Sequence, residues 1–146
     1  MRSCGRGLSF LCAALLFLTL CLCGCSSDLP SADEIIDTVS DPEVTACQEW
    51  TGAQWRDAAK TQKADAAIYV TFTVIGTAQG VAGGLETQDA FAALAEALED
   101  EQTRAGFLET AESNEAAITT YFDSAPEEAV IQDFILFELS QTLEQN

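Results

Sequence analysis

The side chains of this sequence that could act as nucleophiles, acids, bases or metal ligands are chiefly six cysteines and 24 acidic residues. The sequence contains no histidine. Histidine is the commonest general base and the usual ligand of a transition metal. A structural zinc site needs about four cysteine or histidine ligands, and only Cys47 lies beyond residue 25. The chain also lacks the nucleophile elbow, phosphate-loop and calcium-loop motifs. The sequence therefore predicts no catalytic residue, no metal site and no cofactor.

The abundant carboxylates leave one enzymatic alternative open. Two acids that face each other can hydrolyse a glycosidic bond. The acids of this chain fall mostly on helix faces turned away from the apolar stripes. The clusters Glu99-Asp100-Glu101 and Glu127-Glu128 are typical of solvated surface, or of a first helical turn, where the helix dipole favours negative charge. A two-carboxylate hydrolase is therefore kept as the alternative to a protein without catalytic activity.

The first 24 residues show the three zones of a secretory signal. Residues 1–7 carry Arg2 and Arg6 and no acid, and residues 8–22 are almost purely apolar. The small Gly24 directly precedes Cys25, after which the chain is polar. The apolar run is 15 residues long, whereas a transmembrane helix needs about 20. We therefore predict that residues 1–24 are a cleaved signal peptide.

The four residues Leu22-Cys23-Gly24-Cys25 resemble the lipobox of bacterial lipoproteins, which has a leucine three residues before its cysteine and a glycine or alanine directly before it. The resemblance implies a diacylglyceryl group on the Cys25 sulfur and cleavage between Gly24 and Cys25. Residues 25–30 would then be a short polar tether. The alternatives are a signal cut by the ordinary signal peptidase and an uncleaved membrane helix.

Acyl chains on Cys25 would place the protein on the extracytoplasmic face of the cell membrane or of an outer membrane. Each buried methylene contributes about 0.8 kcal/mol, so two or three chains hold a protein without help from its folded domain. After removal of residues 1–24, four basic residues stand against 24 acidic ones, which leaves a formal charge of −20. A field of that sign repels nucleic acid and anionic lipid head groups. The expected partners are the membrane, through the acyl chains, and an unidentified protein or small molecule.

Helix-start signals recur along residues 31–146, which we predict to form one acidic all-α domain, a small helical bundle. The expected helix starts are Ser31 with Glu34, Asp41 with Pro42, Thr51, Thr87, Ser113 and residues 124–127. The helix after Thr51 is expected to run from about residue 53 to residue 70. A short separate piece is expected at residues 107–111.

Residues 66–85 carry no charge and include the small-xxx-small pair Gly76 and Gly80. A transmembrane helix of this length could dimerise through the glycines, but polar residues dilute it and its basic flank would lie on the wrong side of the membrane. A strand over 68–75 would need partner strands that the chain does not offer. We favour a buried central helix that ends in a loop at residues 80–84, because a helix that is apolar on all sides belongs in a core.

The last predicted helix is apolar on more than one face. Phe134, Phe137 and Leu139 are therefore our candidates for a surface that binds a partner or a second copy, and the alternative is a helix inserted between others. Cys47 is expected to be a small buried hydrophobe, with an intermolecular disulfide or a reactive thiol as the alternatives.

These observations predict a lipid-anchored extracytoplasmic protein with a non-catalytic binding or interaction domain. Residues 45–50 (Thr-Ala-Cys-Gln-Glu-Trp) resemble the opening of small periplasmic acid-stress chaperones. That family closes its fold with a second cysteine, which this domain lacks, so its function is not carried over. A chaperone-like dimer at the envelope and the two-carboxylate hydrolase are the alternatives.

Overall fold

The computed structural model describes residues 29–145, and this part of the chain is an all-helical bundle. The helices are α1 (Ala32–Ser40), α2 (Pro42–Thr45), a 3-10 helix (Ala46–Glu49), α3 (Gly52–Asp57), α4 (Lys60–Gly83), α5 (Thr87–Ala97), α6 (Glu101–Ser124) and α7 (Ile131–Glu144). The predicted all-α bundle is confirmed. The signal peptide, Gly24, Cys25 and most of the tether lie outside the described residues, so they stay predictions.

The predicted starts of the first three helices are confirmed by their capping hydrogen bonds. The Ser31 Oγ accepts from the backbone N–H of Glu34 at 3.2 Å. Asp41 caps α2 through its Oδ1, with proline as the first helical residue. Thr51 and Gln54 form a reciprocal capping box at the start of α3. Each of these caps satisfies backbone donors that the first helical turn leaves free.

The helix predicted from residue 53 to residue 70 is wrong, because the chain breaks it in two. α3 ends at Asp57, Ala58 and Ala59 are extended, and α4 begins at Lys60. The Ala59 N–H donates to the Gln62 Oε1 at 2.9 Å, which gives the second helix its own cap. Alanine is a good helix former, so the helix propensity of Ala58 and Ala59 does not explain this break.

The predicted boundaries in the second half of the domain are also shifted. Ser113 does not begin a helix and residues 107–111 are not a separate piece, since α6 runs without interruption through both from its Asp100 cap. Thr87 is the first residue of α5 and not its cap. Residues 124–127 do not start the last helix. α7 begins at Ile131, whose N–H donates to the Trp50 carbonyl at 3.0 Å, so a contact with a distant segment sets this boundary.

α4 is the central helix of the bundle and packs against α1, α2, α5, α6 and α7. One apolar cluster joins its residues 66, 70 and 74 to α6 and α7, with Ile118 and Phe134 among its members. A second cluster joins Phe72 to α1, α5 and α6, with Ile35 and Leu98 among its members. Two clusters on different sides of one helix explain why residues 66–85 are apolar in every direction.

The prediction of a buried central helix is therefore confirmed for residues 66–80, most of which are buried or half-buried, within a helix that already begins at Lys60. The expected loop at residues 80–84 is wrong, because the helix continues to Gly83, and residues 81–85 are exposed. The alternative of a strand over 68–75 is excluded, because those residues are helical. Among the described helices α4 is the one long and apolar enough to cross a membrane, by length and composition alone. Half of its most apolar window is buried inside the bundle, where the helix packs against five others.

The glycine pair of α4 serves its contact with α5. A Cβ atom at Gly76 would clash with the ring of Phe91, and one at Gly80 would lie 3.2 Å from the Cβ of Ala90. The Phe91 ring therefore rests against bare backbone at Gly76. The small-xxx-small spacing is used here for helix packing within the domain.

Candidate functional site

A cleft of about 410 Å³ opens beside α4, between α1 and α5. Each helix contributes three lining residues: Ile36, Val39 and Ser40 from α1, Tyr69, Phe72 and Thr73 from α4, and Phe91, Ala92 and Ala95 from α5. The α1 and α4 residues recur at helical spacing, which puts each set on one face of its helix. Small-molecule sites usually have volumes of roughly 300–1,000 Å³, so the cleft falls within that range.

Two aromatic rings form the wall of the cleft on the side of α5. Phe72 and Phe91 stack with ring centroids 5.4 Å apart and an interplanar angle of 21°. Phe72 also meets Phe107 edge to face at 6.4 Å, which ties the wall to the core. The Phe91 ring also contacts the backbone at Gly76, where a Cβ atom would clash with it. The two rings are therefore packed against the core, and the half-buried Phe91 offers part of its ring to the cleft.

The chemistry of the cleft is apolar with a few hydroxyl groups. None of its nine described lining residues is charged. Ser40, Tyr69 and Thr73 supply hydroxyls, which can donate or accept hydrogen bonds. Such a surface can bind and orient an uncharged molecule, whereas acid–base or nucleophilic chemistry by two carboxylates would need a different place in the protein.

The described acids do not gather into a metal site. In residues 29–145 no three cysteine or acid side chains lie close enough together to hold a metal ion. Asp100 caps α6, and hydrogen bonds from the backbone and side chain of Thr103 lower the pKa of its carboxyl. Burial raises the pKa of Asp65 and that of Glu138, and for Asp65 the nearby Asp41 adds to the effect.

Two of the four basic residues after residue 24 cap helix C-termini. Arg104 donates from Nη1 to the carbonyls of Leu98 (3.1 Å) and Glu99 (3.4 Å) at the end of α5. Arg56 donates from Nη2 to the carbonyl of Phe122 (3.4 Å) in the last turn of α6. The last carbonyls of a helix lack partners within the helix and carry partial negative charge, so these contacts stabilise the bundle.

The three residues of α7 that were predicted to form a binding surface differ in their exposure to solvent. Phe134 is 1% exposed and belongs to the core, and Leu139 is partly buried against the same cluster. Phe137 is 48% exposed and leans on Tyr121, with ring centroids 6.1 Å apart. The neighbouring Leu136 is 54% exposed. In the folded domain, Phe134 therefore offers no binding surface, because residues 131, 134 and 135 form the buried stripe of this helix.

Cys47 is a buried hydrophobe, as the sequence predicts. Its side chain has no exposed surface, and burial raises the pKa of its thiol to about 12. A thiol is nucleophilic mainly as the thiolate, so the folded domain keeps Cys47 unreactive and out of reach of a second chain.

Sequence reasoning missed a buried polar link between α4 and α6. Thr71 is fully buried, donates to the Ala67 carbonyl at 2.7 Å and accepts from the Asn114 Nδ2 at 2.8 Å. The spacing of Asn114 could have predicted this link, because Asn114 lies three residues after Ala111 and four before Ile118, on the same buried face of α6. A second link joins α3 to α6, because the Nε1 of the buried Trp55 donates to the Thr119 Oγ1 at 3.0 Å.

Comparison with known proteins leaves the site to be interpreted from its own residues. No family model, no curated protein and no solved structure matches this chain.

Proposed function

We propose that this chain is a lipid-anchored extracytoplasmic protein whose acidic helical domain binds a partner or a small molecule without catalysing a reaction. The observation that carries the proposal is the sequence Leu22-Cys23-Gly24-Cys25, placed directly behind the apolar run of residues 8–22. Cleavage before Cys25 and acylation of its sulfur would leave a six-residue tether, residues 25–30, ahead of α1. Fully extended, such a tether spans roughly 20 Å, so the domain would stay close to the membrane.

The charge of the domain supports attachment by the tether alone. Residues 25–146 have a formal charge of −20, from four basic and 24 acidic residues. An anionic bilayer surface repels such a domain within a Debye length of about 8 Å at physiological salt. Acyl chains on Cys25 would hold the protein, and the helical surface would remain free for a partner.

The cleft supports a binding role over hydrolysis. Its nine described lining residues include two stacked aromatic rings and no carboxylate. A two-carboxylate hydrolase needs a pair of acids about 5–10 Å apart around the substrate bond. The cleft therefore fits a ligand better than it fits this reaction.

The anchor is tested by comparing two single substitutions in the full chain, expressed in a bacterium with labelled palmitate. C25S should lose the label, whereas C23S, two residues away in the same segment, should keep it and stay in the membrane fraction. Mass spectrometry of the mature N-terminus should show an acylated peptide that begins at Cys25. An unmodified peptide that contains both Gly24 and Cys25, or a labelled C25S protein, would contradict the proposal.

One alternative has an observation in its favour. The half-exposed Leu136 and Phe137 on α7 are large apolar residues that a chaperone-like dimer could cover. Light scattering on the purified chain decides this. A dimer that F137S converts into a folded monomer would favour the chaperone-like protein, and a wild-type monomer would favour the single anchored domain.

A further inference from the structure

We infer that the cleft between α1, α4 and α5 binds a small uncharged molecule that carries an aromatic ring. The inference deepens the proposed function and rests on it only in treating the domain as a binding domain. It depends on the shape of the cleft, on the aromatic wall and on the absence of charge among the described lining residues.

The wall of the cleft suits a flat ring. Phe91 lies against the backbone of Gly76 and stacks on the ring of Phe72, and its half-buried ring lines the cleft. Aromatic rings attract each other in offset-stacked and edge-to-face arrangements beyond the effect of buried area. Ala92 and Ala95 are small, and they leave the space beside Phe91 open.

The charge pattern selects a neutral ligand. The domain is strongly acidic, so its field repels anions over the whole surface. A cation is attracted to the domain as a whole, but no carboxylate stands among the described lining residues to pair with it in the cleft. A neutral ring is not repelled by the acidic domain and needs no charged partner in the cleft. The hydroxyls of Ser40, Tyr69 and Thr73 can fix its orientation through hydrogen bonds.

The test uses indole as the neutral aromatic probe and indole-3-acetate as its anionic counterpart. The full chain is purified in detergent, and its thermal unfolding is followed by far-UV circular dichroism at increasing probe concentration. A ligand that binds only the folded state raises the unfolding temperature in a saturable way. We expect indole to do so, and indole-3-acetate to bind about tenfold more weakly or not at all.

Two substitutions on α5 locate the binding. A95L places a larger side chain in the cleft and should abolish the shift with indole. A97L makes the same chemical change at an exposed position of the same helix outside the cleft, and it should leave the shift unchanged. A92L repeats the filling at an exposed rim position, so the test does not depend on how well A95L folds.

A saturable rise of the unfolding temperature with indole that A95L and A92L abolish and A97L keeps supports binding in the cleft. The inference is overturned if the wild-type chain shows no saturable shift, if the A95L and A92L chains respond like wild type, or if indole-3-acetate binds as tightly as indole. Detergent micelles take up a given probe equally in the wild-type and variant samples, so differences between variants report the cleft. The assay does not depend on the lipid at Cys25, and a failure of the anchor is seen separately in the palmitate experiment.

Discussion

Cys47 is completely buried, and desolvation raises the pKa of its thiol from 9.0 to about 12. Below pH 9 the thiol is protonated in both the folded and the unfolded chain. Between these two values the unfolded chain loses the proton while the folded chain keeps it. The folded state then holds more protons, so its stability falls as the pH rises.

We therefore expect the free energy of unfolding to fall more steeply with pH in the wild-type chain than in C47A as the pH rises above about 9 toward about 12. Urea unfolding in the presence of a reductant, followed by circular dichroism, measures both slopes. C47A also removes a buried side chain and lowers stability at every pH, so the slope is compared and not the absolute value. Parallel slopes for the two chains would show that Cys47 is accessible to water.

At the scale of helices, the contact between α4 and α5 depends on a missing side chain. A Cβ atom at Gly76 would meet the Phe91 ring, which is itself confined by Phe72. At Gly83, near the end of the same helix, a Cβ atom would lie 3.6 Å from Leu85, which is an ordinary contact. The two glycines therefore form a matched pair in one helix.

We expect G76A to destabilise the domain by about 1–3 kcal/mol, because Phe91 must move and overpacking is costly. G83A should be neutral, or stabilising by up to about 1 kcal/mol, because alanine favours helix more than glycine does. Urea unfolding of both variants measures the difference. If G76A is as stable as G83A, α5 does not pack on α4 as the structure describes.

At the scale of the whole molecule, charge opposes folding. Residues 25–146 carry a formal charge of −20, and two of their four basic residues bond to backbone carbonyls at helix ends. Like charges repel more strongly in the compact state than in the unfolded chain. Salt screens this repulsion, with a Debye length of about 30 Å at 0.01 M and about 8 Å at 0.15 M.

We therefore expect the unfolding temperature to rise when NaCl is increased from about 0.01 M to about 0.15 M. Calorimetry or circular dichroism at constant pH measures the change. Sucrose at equal osmolality is the control for effects of the solute that do not involve charge. An unfolding temperature that stays constant or falls with NaCl would mean that the surface charges are balanced in ways that the net charge does not reveal.

Local features of the fold could be predicted from the sequence. The caps at Ser31, Asp41 and Thr51 follow from side chains that reach backbone donors two or three residues away. The burial of most of residues 66–80 follows from their lack of charge, whereas the equally uncharged residues 81–85 are exposed. The cleft could not be predicted, since it needs three helices brought side by side and a ring resting on Gly76.

The amino-acid sequence by itself determined that this is an acidic, helical domain behind a candidate lipid-attachment cysteine, because composition, periodicity and caps act between near neighbours in the chain. Only the tertiary structure decided the break before Lys60, the continuity of α6 through Ser113 and the burial of Phe134 beside an exposed Phe137. The burial of Phe134 depends on a core cluster of residues far apart in the chain, and α7 begins where the Ile131 N–H reaches the Trp50 carbonyl. Such contacts override local helix preference wherever burial and hydrogen bonding favour a different boundary.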